Sequence, residues 1–203
     1  MVKIKQFKIA RRLGAPIFPK CDNPHFSTTP KIHGKGGRRF SARSEYSKQL
    51  LEKQKARYSY GLSEKQFSNY VKEAMEKKGI KPIIELYTLL ETRLDNSIYR
   101  LGIAKTRRFA RQLVSHGHIT INGRRVTIPS RQLIQGDMIG IKKASLEKPL
   151  FEGLTENLKE KTPPAWLSFS SKTKEGKVEG TPVLSEQDEA SLDLPSVIEF
   201  YSR

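Results

Sequence analysis

The chain contains little of what redox, catalytic or membrane functions require. It has one cysteine, Cys21, one tryptophan, and aromatic residues at 8% of its 203 positions. A single cysteine excludes an internal disulfide and fits a reducing compartment. No apolar run approaches the length of a bilayer-spanning helix. No Ser-His-Asp order, nucleotide-binding fingerprint or deaminase-type signature occurs. We therefore predict that the protein is not an enzyme, has no cofactor and does not enter a membrane.

Acidic residues are also scarce, and their scarcity is uneven along the chain. The sequence has 38 Lys and Arg against 21 Asp and Glu, a formal net charge of +17. Residues 1–60 carry 15 basic against 3 acidic side chains, and residues 91–151 carry 12 against 4. Residues 152–203 are instead acidic, with 6 against 10. One basic run is as often a solvated surface as a binding site, but two such blocks favour a nucleic acid as partner.

Two groups of side chains offer metal ligands, and neither has the pattern of a structural site. His116 and His118 are separated by one residue, and Cys21 lies near His25 and His33. Neither group has the ligand number and spacing of a zinc site. We therefore predict no metal, and expect His116 and His118 to donate to phosphate or 2′-hydroxyl groups.

The sequence pattern predicts an α+β fold that begins with a basic segment and continues as helices. Residues 1–43 are rich in Gly, Pro, Lys and Arg without apolar periodicity, which predicts an extended basic arm that settles against RNA. Helices are predicted from Glu45 to Gly61, from the capping box at Ser63 to Gly79, and from Pro82 to Gly102 as one continuous helix.

A helix-plus-hairpin module is predicted next. Thr106 can cap a helix that runs to about Ser115, and residues 118–121 alternate like a half-buried strand. Asn122-Gly123 is a strong signal for a type I′ hairpin turn, because both positions need positive φ. A partner strand follows at residues 124–128, and a third short strand at Met138–Ile141.

We expect three parts in the chain as a whole. These are a basic arm at residues 1–43, a helical domain at 44–92, and an RNA-binding module of helices and a short antiparallel sheet at 93–151. The acidic tail, residues 152–203, is expected to be irregular, with an apolar island at Trp166–Phe169 and a hydrophobic ending from Val197 to Tyr201. We expect the tail to complete the helical domain, with this ending returning to it.

The module offers a face suited to structured RNA. Guanidinium groups bind phosphate oxygens through a bidentate fork. Arg107, Arg108 and Arg111 lie within about one helical turn, and the hairpin adds Arg124 and Arg125. Such a face recognises phosphate spacing and RNA shape rather than sequence. Asp95 is expected to form a local ion pair with Arg93 and Arg100 rather than to act as a general acid or base.

Several ordered stretches resemble a known family. They are Glu52 to Lys55, Tyr60 to Phe67, Leu90 to Asn96, Tyr99 to Gly102, Ala110 to Val114, His116 to Ile119, Val126 to Ser130 and Glu199 to Arg203. From about residue 45 onward the chain closely resembles the small-subunit ribosomal protein four family in its bacterial and organellar form. The likeness is loosest between about 142 and 195 and weakest over the first 43 residues.

The resemblance implies a structural constituent of the small ribosomal subunit. It implies binding to a multi-helix junction in the 5′ domain of small-subunit ribosomal RNA, nucleation of assembly, and an influence on decoding accuracy near the channel through which messenger RNA (mRNA) enters. The implied neighbours are ribosomal proteins three and five. Many family members carry an N-terminal cysteine cluster that binds a metal. This chain retains only Cys21, so no metal is expected.

With the basic pattern and the resemblance taken together, we expect these ribosomal RNA contacts: Arg11, Arg12, Lys31, Lys35, Arg38, Arg39, Arg43, Lys55, Arg57, Arg93, Asn96, Arg100, Lys105, Arg107, Arg108, Arg111, Gln112, Ser115, His116, His118, Asn122, Arg124 and Arg125. The expected location is the cytoplasmic bacterial ribosome, with an organellar ribosome as the alternative. The alternative function is another RNA-binding factor, or an RNA-modifying enzyme, that shares only the module.

Overall fold

The computed structural model describes residues 5–23, 26–27, 44–151, 162–170, 173–185 and 192–202. The chain divides into two compact units, one made of Met1–Met75 with Ser185–Arg203 and the other of Glu76–Leu184. The helices of the described ranges are α1 Gln6–Leu13, α2 Glu45–Ser59, α3 Glu64–Glu76, α4 Pro82–Glu91, α5 Leu94–Arg100, α6 Arg107–Ser115, α7 Lys143–Leu146 and α8 Leu194–Tyr201. The strands are β1 Ile119–Ile121, β2 Arg124–Val126, β3 Met138–Ile141, β4 Leu167–Ser170 and β5 Glu175–Val178. Short 3-10 turns occur at Pro19–Asp22 and Pro149–Phe151.

Helix α1 replaces part of the expected extended arm. Ala10 and Leu13 are buried while Arg11 and Arg12 are exposed, so the segment is amphipathic over two turns. Gly14 ends the helix with a positive φ of 69°. The apolar pattern is too short to stand out from its Gly- and Arg-rich surroundings, which is why the extended prediction is wrong for these residues. Residues 1–4, 24–25 and 28–43 of the expected arm lie outside the described residues.

Serine side chains cap the first turns of α2 and α3, and only the cap of α3 was predicted. The Ser44 hydroxyl accepts from the Ser47 N–H at 3.3 Å, and the Ser63 hydroxyl accepts from the Gln66 N–H at 3.3 Å. The second contact confirms the predicted Ser63 cap, and the Gln66 side chain meets the Ser63 hydroxyl at 3.4 Å instead of the Ser63 backbone. Phe67 and Val71 are fully buried on α3, as the helical spacing predicts.

The hydrophobic ending of the chain forms α8, which lies against α2 in the first unit. The rings of Tyr46 and Phe200 are 5.5 Å apart, and the Lys53 ammonium lies 4.5 Å above the Phe200 ring. Lys53 also donates to Glu64 at 2.6 Å, and the Tyr201 hydroxyl donates to Glu64 at 3.1 Å. Burial and the adjacent Glu64 carboxylate raise the pKa of Tyr201. The chain end is therefore held by both apolar and charged contacts.

The continuous helix predicted from Pro82 to Gly102 is wrong, because the structure has two helices there. At Arg93 the backbone is extended, with φ −60° and ψ 136°. The amide of Leu94 donates to the carbonyl of Arg131 at 2.9 Å, and the amide of Asp95 donates to the carbonyl of Pro129 at 3.1 Å. The carbonyls of residues 129 and 131 thus accept the amide hydrogen bonds that a continuous helix would have formed within itself. Apolar residues continue through the break because both sides of it are buried, so the periodicity gives no sign of it.

The second unit is built around an antiparallel sheet with strand order β2-β1-β3-β5-β4 in the described residues. The predicted hairpin and third strand are confirmed, since β1 pairs with both β2 and β3. Strands β4 and β5 fall in the tail, where irregular structure was expected. Gly176 lets β5 lie close to the Leu101 side chain, because a Cβ atom at this position would be only 2.5 Å from a methyl carbon of Leu101.

The tail is therefore shared between the two units, whereas we expected all of it beside the helical domain. Strands β4 and β5 extend the sheet of the second unit, and only the chain end belongs to the first. Trp166 and Leu167 are buried in the hydrophobic core beneath the sheet, together with Ile119 and Ile139. The apolar island at Trp166–Phe169 is thus part of this core. The overall α+β class is confirmed.

Candidate nucleic-acid interface

A buried carboxylate on α5 fixes two arginines. Asp95 accepts from Arg93 at 3.0 and 2.9 Å, and from Arg111 at 2.9 and 2.7 Å. The Asp95 side chain is only 3% exposed and that of Arg93 only 2%, whereas that of Arg111 is 28% exposed. The carboxylate therefore has two partners. Arg93, at the N-terminus of the same helix, is buried, and Arg111 on α6 reaches the surface.

A second buried carboxylate, at the end of α4, fixes another arginine. Glu91 accepts from Arg100 at 2.8 and 2.9 Å and from the amide of Asn96 at 3.0 Å. The Asn96 oxygen accepts in turn from the Arg107 Nε at 2.7 Å. The Arg107 guanidinium also lies 4.5 Å above the Tyr99 ring. Three helices are thus joined through polar contacts that end at partly exposed guanidinium groups.

We call the surface formed by Arg100, Arg107, Arg108 and Arg111 the arginine face. Buried acids orient two of these arginines directly and a third through Asn96. Arg108 is exposed at the start of α6, where the Thr106 hydroxyl caps the helix by accepting from the Phe109 N–H at 3.1 Å. The face combines geometry fixed by the protein with an excess of positive charge, and both favour phosphate binding.

The hairpin turn is held from inside. Asn122 and Gly123 have φ values of 50° and 78°, as the type I′ turn requires. The Asn122 amide donates to Asp137 at 2.8 Å, and its oxygen accepts from the Met138 N–H at 2.8 Å. Both polar ends of the Asn122 side chain are thus engaged by the protein. These contacts assign Asn122 to positioning the turn, while its contact with RNA stays a prediction because the residue is exposed.

The two hairpin arginines lie on opposite faces of the sheet, because side chains alternate along a strand. Arg124 pairs with Ile121, whose face packs on α6, while Arg125 pairs with Thr120 on the other face. Both arginines were expected beside α6. Arg125 leaves the strand on the other face, but its guanidinium lies against the backbone of Gly117, two residues beyond the end of α6.

Three other expected contacts, unlike Asn122, have buried side chains, which argues against their direct contact with RNA. Arg93, Asn96 and His118 are 2%, 1% and 8% exposed. Arg93 holds Asp95, Asn96 joins Glu91 to Arg107, and the His118 Nδ1 lies 2.9 Å from the Ser145 hydroxyl. They support the surface rather than form it.

The other expected residues divide by unit and by exposure. In the second unit, exposed or partly exposed side chains are Arg100, Lys105, Arg107, Arg108, Arg111, Gln112, Ser115, His116, Arg124 and Arg125. In the first unit, Arg11 and Arg12 are exposed, while Lys55 and Arg57 are half-buried and paired with Glu52 and Glu64. Lys31, Lys35, Arg38, Arg39 and Arg43 lie outside the described residues.

The sequence analysis missed the positioning role of Glu91 and assigned Asp95 only in part. Asp95 does pair with Arg93, as expected, but Arg100 pairs with Glu91 instead. A detectable signal existed, because these acids occur within an apolar run of a strongly basic chain, where an unpaired carboxylate would be costly.

No group of three or more His, Cys, Asp or Glu side chains that could hold a metal ion occurs among the described residues. Within the same residues, no helix is both long and apolar enough to cross a bilayer.

Comparison with known proteins identifies the family. Residues 92–139 match the S4 domain, and residues 2–91 match the ribosomal protein S4/S9 N-terminal domain. The class of the protein is therefore that of the S4-domain proteins, and the match spans α5, α6 and the hairpin. The chain is 42% identical over 204 residues to small ribosomal subunit protein uS4 of Heliobacterium modesticaldum, covering 97% of this chain and 96% of the relative.

Other relatives agree with that assignment. The chain is 44% identical to small ribosomal subunit protein uS4 of Amoebophilus asiaticus, over 97% of this chain and 96% of the relative. It is 41% identical to that of Pelotomaculum thermopropionicum, again over 97% and 96%. The chain belongs to the uS4 family of small ribosomal subunit proteins.

Proposed function

We propose that this protein is a structural constituent of the small ribosomal subunit that binds a multi-helix junction in the 5′ domain of small-subunit ribosomal RNA. In this role it nucleates assembly and influences decoding accuracy near the channel through which messenger RNA enters. Its neighbours are ribosomal proteins three and five. The relatives named above are bacterial, which favours a cytoplasmic bacterial ribosome over an organellar one.

The arginine face is the observation that carries this proposal. Folded RNA presents phosphates at positions set by its own tertiary structure, so a rigid array of guanidinium groups can recognise one arrangement of the backbone. Arg100 and Arg111 are each held by two hydrogen bonds to a buried carboxylate. Their side chains therefore lose less conformational freedom on binding than unrestrained arginines would.

The first unit supports the proposal with a smaller basic surface. Arg11 and Arg12 are exposed in the last turn of α1, and the Arg11 guanidinium lies 5.6 Å from the centre of the Phe26 ring. Phe26 itself stacks on Phe7 at 5.4 Å. Because these arginines and the arginine face belong to different units of the chain, they can engage separate segments of one RNA.

The test is binding of the purified chain to a transcript of the 5′ domain, with an unrelated structured RNA of equal length as comparison. The variant replaces Arg107, Arg108 and Arg111 by Ala. A matched variant replaces Lys72, Lys78 and Lys81, which are exposed lysines on or near α3 and at the start of α4. Filter binding at several salt concentrations gives both the affinity and its salt slope.

The arginine variant should bind the 5′ domain more weakly, and its salt slope should fall by about two to three, the value for three lost phosphate contacts on a duplex. The lysine variant should bind nearly as well as the natural chain. Removal of Arg111 takes away one of the two partners of the buried Asp95, which could affect folding. Trp166 fluorescence must therefore first show that the second unit of the variant remains folded. Equal binding of both RNAs by the natural chain would contradict the proposed recognition of a junction.

A further inference from the structure

A second basic cluster lies around His118, away from the arginine face. Its exposed members are His116, Arg125, Lys142 and Lys148. His116 follows α6, Arg125 lies on β2, and the two lysines flank α7. They come from three separate parts of the sequence, so only the fold brings them together. We call this set the His118 cluster.

The sheet and the turn after it position the two lysines. The Lys142 amide donates to the His118 carbonyl at 2.9 Å, which continues the pairing of β1 with β3 by one residue. The Ser145 hydroxyl lies 2.9 Å from the His118 Nδ1. The Lys148 amide then donates to the Ser145 carbonyl at 3.1 Å. His118 and Ser145 thus form the buried floor from which Lys142 and Lys148 project.

Arg125 is positioned by the absence of a side chain at Gly117. A Cβ atom at Gly117 would lie 2.1 Å from the Arg125 Nε, so the guanidinium lies directly on the glycine backbone. Gly117 has a positive φ of 71° and separates His116 from His118, whose rings are 6.1 Å apart. The arginine and both histidines therefore lie together on one side of the hairpin.

The strand residues of the cluster lie on the face of the sheet opposite to Ile119 and Ile121, and His116 lies at the end of α6. Arg125 pairs with Thr120, and His118 lies two positions before Thr120 on the same face. The alternate residues Ile119 and Ile121 pack in the core with α6.

The cluster differs from the arginine face in its charge balance. Among the described residues, no carboxylate lies within ion-pair distance of His116, Arg125, Lys142 or Lys148, whereas Glu91 and Asp95 neutralise part of the arginine face. Glu147 is next to Lys148 in the chain but forms no such pair in this part of the structure. Four basic side chains with no carboxylate at ion-pair distance attract an anion, which would offset their mutual repulsion.

We propose that the His118 cluster is a second RNA-binding site, which takes backbone phosphates of a segment separate from the one on the arginine face. The proposal rests on the proposed function, because it assumes that the partner is a folded RNA. It adds Lys142 and Lys148 to the binding surface. It also makes the module a clamp between two stretches of RNA backbone rather than a one-sided contact.

The electrostatics of His118 agree with this assignment. Burial lowers the pKa of His118, and the positive charges of Lys148, His116, Lys142 and Arg125 lower it further. A phosphate bound at the cluster would counteract those charges. Binding of RNA at this site should therefore raise the pKa of His118, whereas binding at the arginine face alone should leave it unchanged.

The test compares Lys142→Ala with Lys148→Ala, combined in one chain, against a control with Lys78→Ala and Lys81→Ala. All four lysines are exposed in the second unit, and both variants lose the same charge. Two lost phosphate contacts should lower the salt slope by about 1.8, so that the natural chain loses about tenfold more affinity than the variant between 50 and 200 mM salt. The control should retain the natural slope.

A second measurement follows the His118 ring by NMR in the natural chain, alone, with the 5′-domain RNA, and with inorganic phosphate. We expect the RNA to raise its pKa at concentrations near the dissociation constant. A shift with phosphate alone at millimolar levels would show a general anion site and overturn the assignment to RNA. An unchanged salt slope in the Lys142, Lys148 variant would also overturn it, while leaving the proposed function intact. Failure of the natural chain to bind the RNA would count against both.

Discussion

The substitution Asp95→Asn should lower the free energy of unfolding of the second unit by much more than its small change in volume suggests. Asparagine is nearly isosteric with aspartate, so packing around position 95 is preserved. What changes is the charge that faces Arg93 and Arg111. Asp95 accepts two hydrogen bonds from each of these arginines and is almost fully buried. An uncharged amide cannot accept all four of them and brings two donors of its own against guanidinium groups that are themselves only donors.

The size of the effect follows from the burial of Arg93. Its side chain is 2% exposed, so the variant leaves a guanidinium without water and without its carboxylate. Loss of one partner from a buried ion pair costs about 3–5 kcal/mol. Arg111, which is 28% exposed, can turn to solvent and adds less. The loss is a large part of the 5–15 kcal/mol, roughly, that holds a typical domain together.

The single tryptophan makes the measurement specific to this unit. Trp166 is buried in the core that includes Leu94 and Leu113, and no other tryptophan occurs in the chain. Urea unfolding followed by its fluorescence therefore reports the free energy of unfolding of the second unit. Arg111→Gln is the matched comparison, because Arg93 then keeps its carboxylate. Its cost should be about 1 kcal/mol.

Two results would refute this reasoning. If Asp95→Asn lowered the free energy of unfolding by less than about 1 kcal/mol, the buried charge would not be structurally important. If Arg111→Gln were as damaging as Asp95→Asn, the cost would come from the surface arginine rather than from the buried one. In the expected case, Asp95→Asn also weakens RNA binding under conditions where the unit is still folded, because Arg111 loses its orientation.

Three further predictions concern the turn, a buried histidine and the chain end. Gly123→Val should lower the melting temperature, because the positive φ of 78° costs a side chain about 1–2 kcal/mol of strain. The control is Gly180→Val, which should leave the melting temperature unchanged because φ is not positive there and no atom crowds a Cβ. Equal melting temperatures of the two variants would contradict the hairpin assignment. The lowered pKa of His118 means that the unfolded chain binds a proton first, so stability should fall as the pH drops below about 6.5. His118→Gln should reduce that slope in urea unfolding between about pH 7.5 and 5, and an unchanged slope would assign it to other groups. Tyr201→Phe removes the hydrogen bond to Glu64 and should speed amide exchange in α8, at a cost of about 1 kcal/mol; unchanged exchange would show that the aromatic contacts suffice.

Local signals in the sequence predicted the elements that depend on local chemistry. The caps at Ser63 and Thr106 and the Asn122-Gly123 turn each require particular residue types at fixed spacing, and each is confirmed. Strands β4 and β5 were missed because the contacts that stabilise them come from residues far away in the sequence, on β3 and at Leu101. Glycine has a low strand propensity, so Gly176 does not suggest a strand. The position requires glycine because the Leu101 side chain occupies the space that a Cβ atom would need.

The candidate site was predicted less well than the fold, since basic residues were counted without regard to burial. Composition identifies Arg93, Asn96 and His118 as possible RNA contacts, but each is buried. A sequence cannot show which of two arginines will be buried. Arg93 and Arg100 both pair with a carboxylate, but the Arg93 side chain is 2% exposed and that of Arg100 is 27% exposed.

Buried acids in a chain of net charge +17 have a physical role at the arginine face. Clustered arginines repel one another and would spread apart in the absence of RNA, so part of the binding energy would be spent in bringing them together. Glu91 and Asp95 reduce that repulsion and fix the positions of Arg100 and Arg111 before RNA arrives. The cost is a weaker net attraction for phosphate, because each acid cancels one charge. The His118 cluster has the opposite balance, with full charge and exposed lysines. It follows that the arginine face should determine which RNA fold is accepted, while the His118 cluster should contribute more to the salt-dependent part of the affinity.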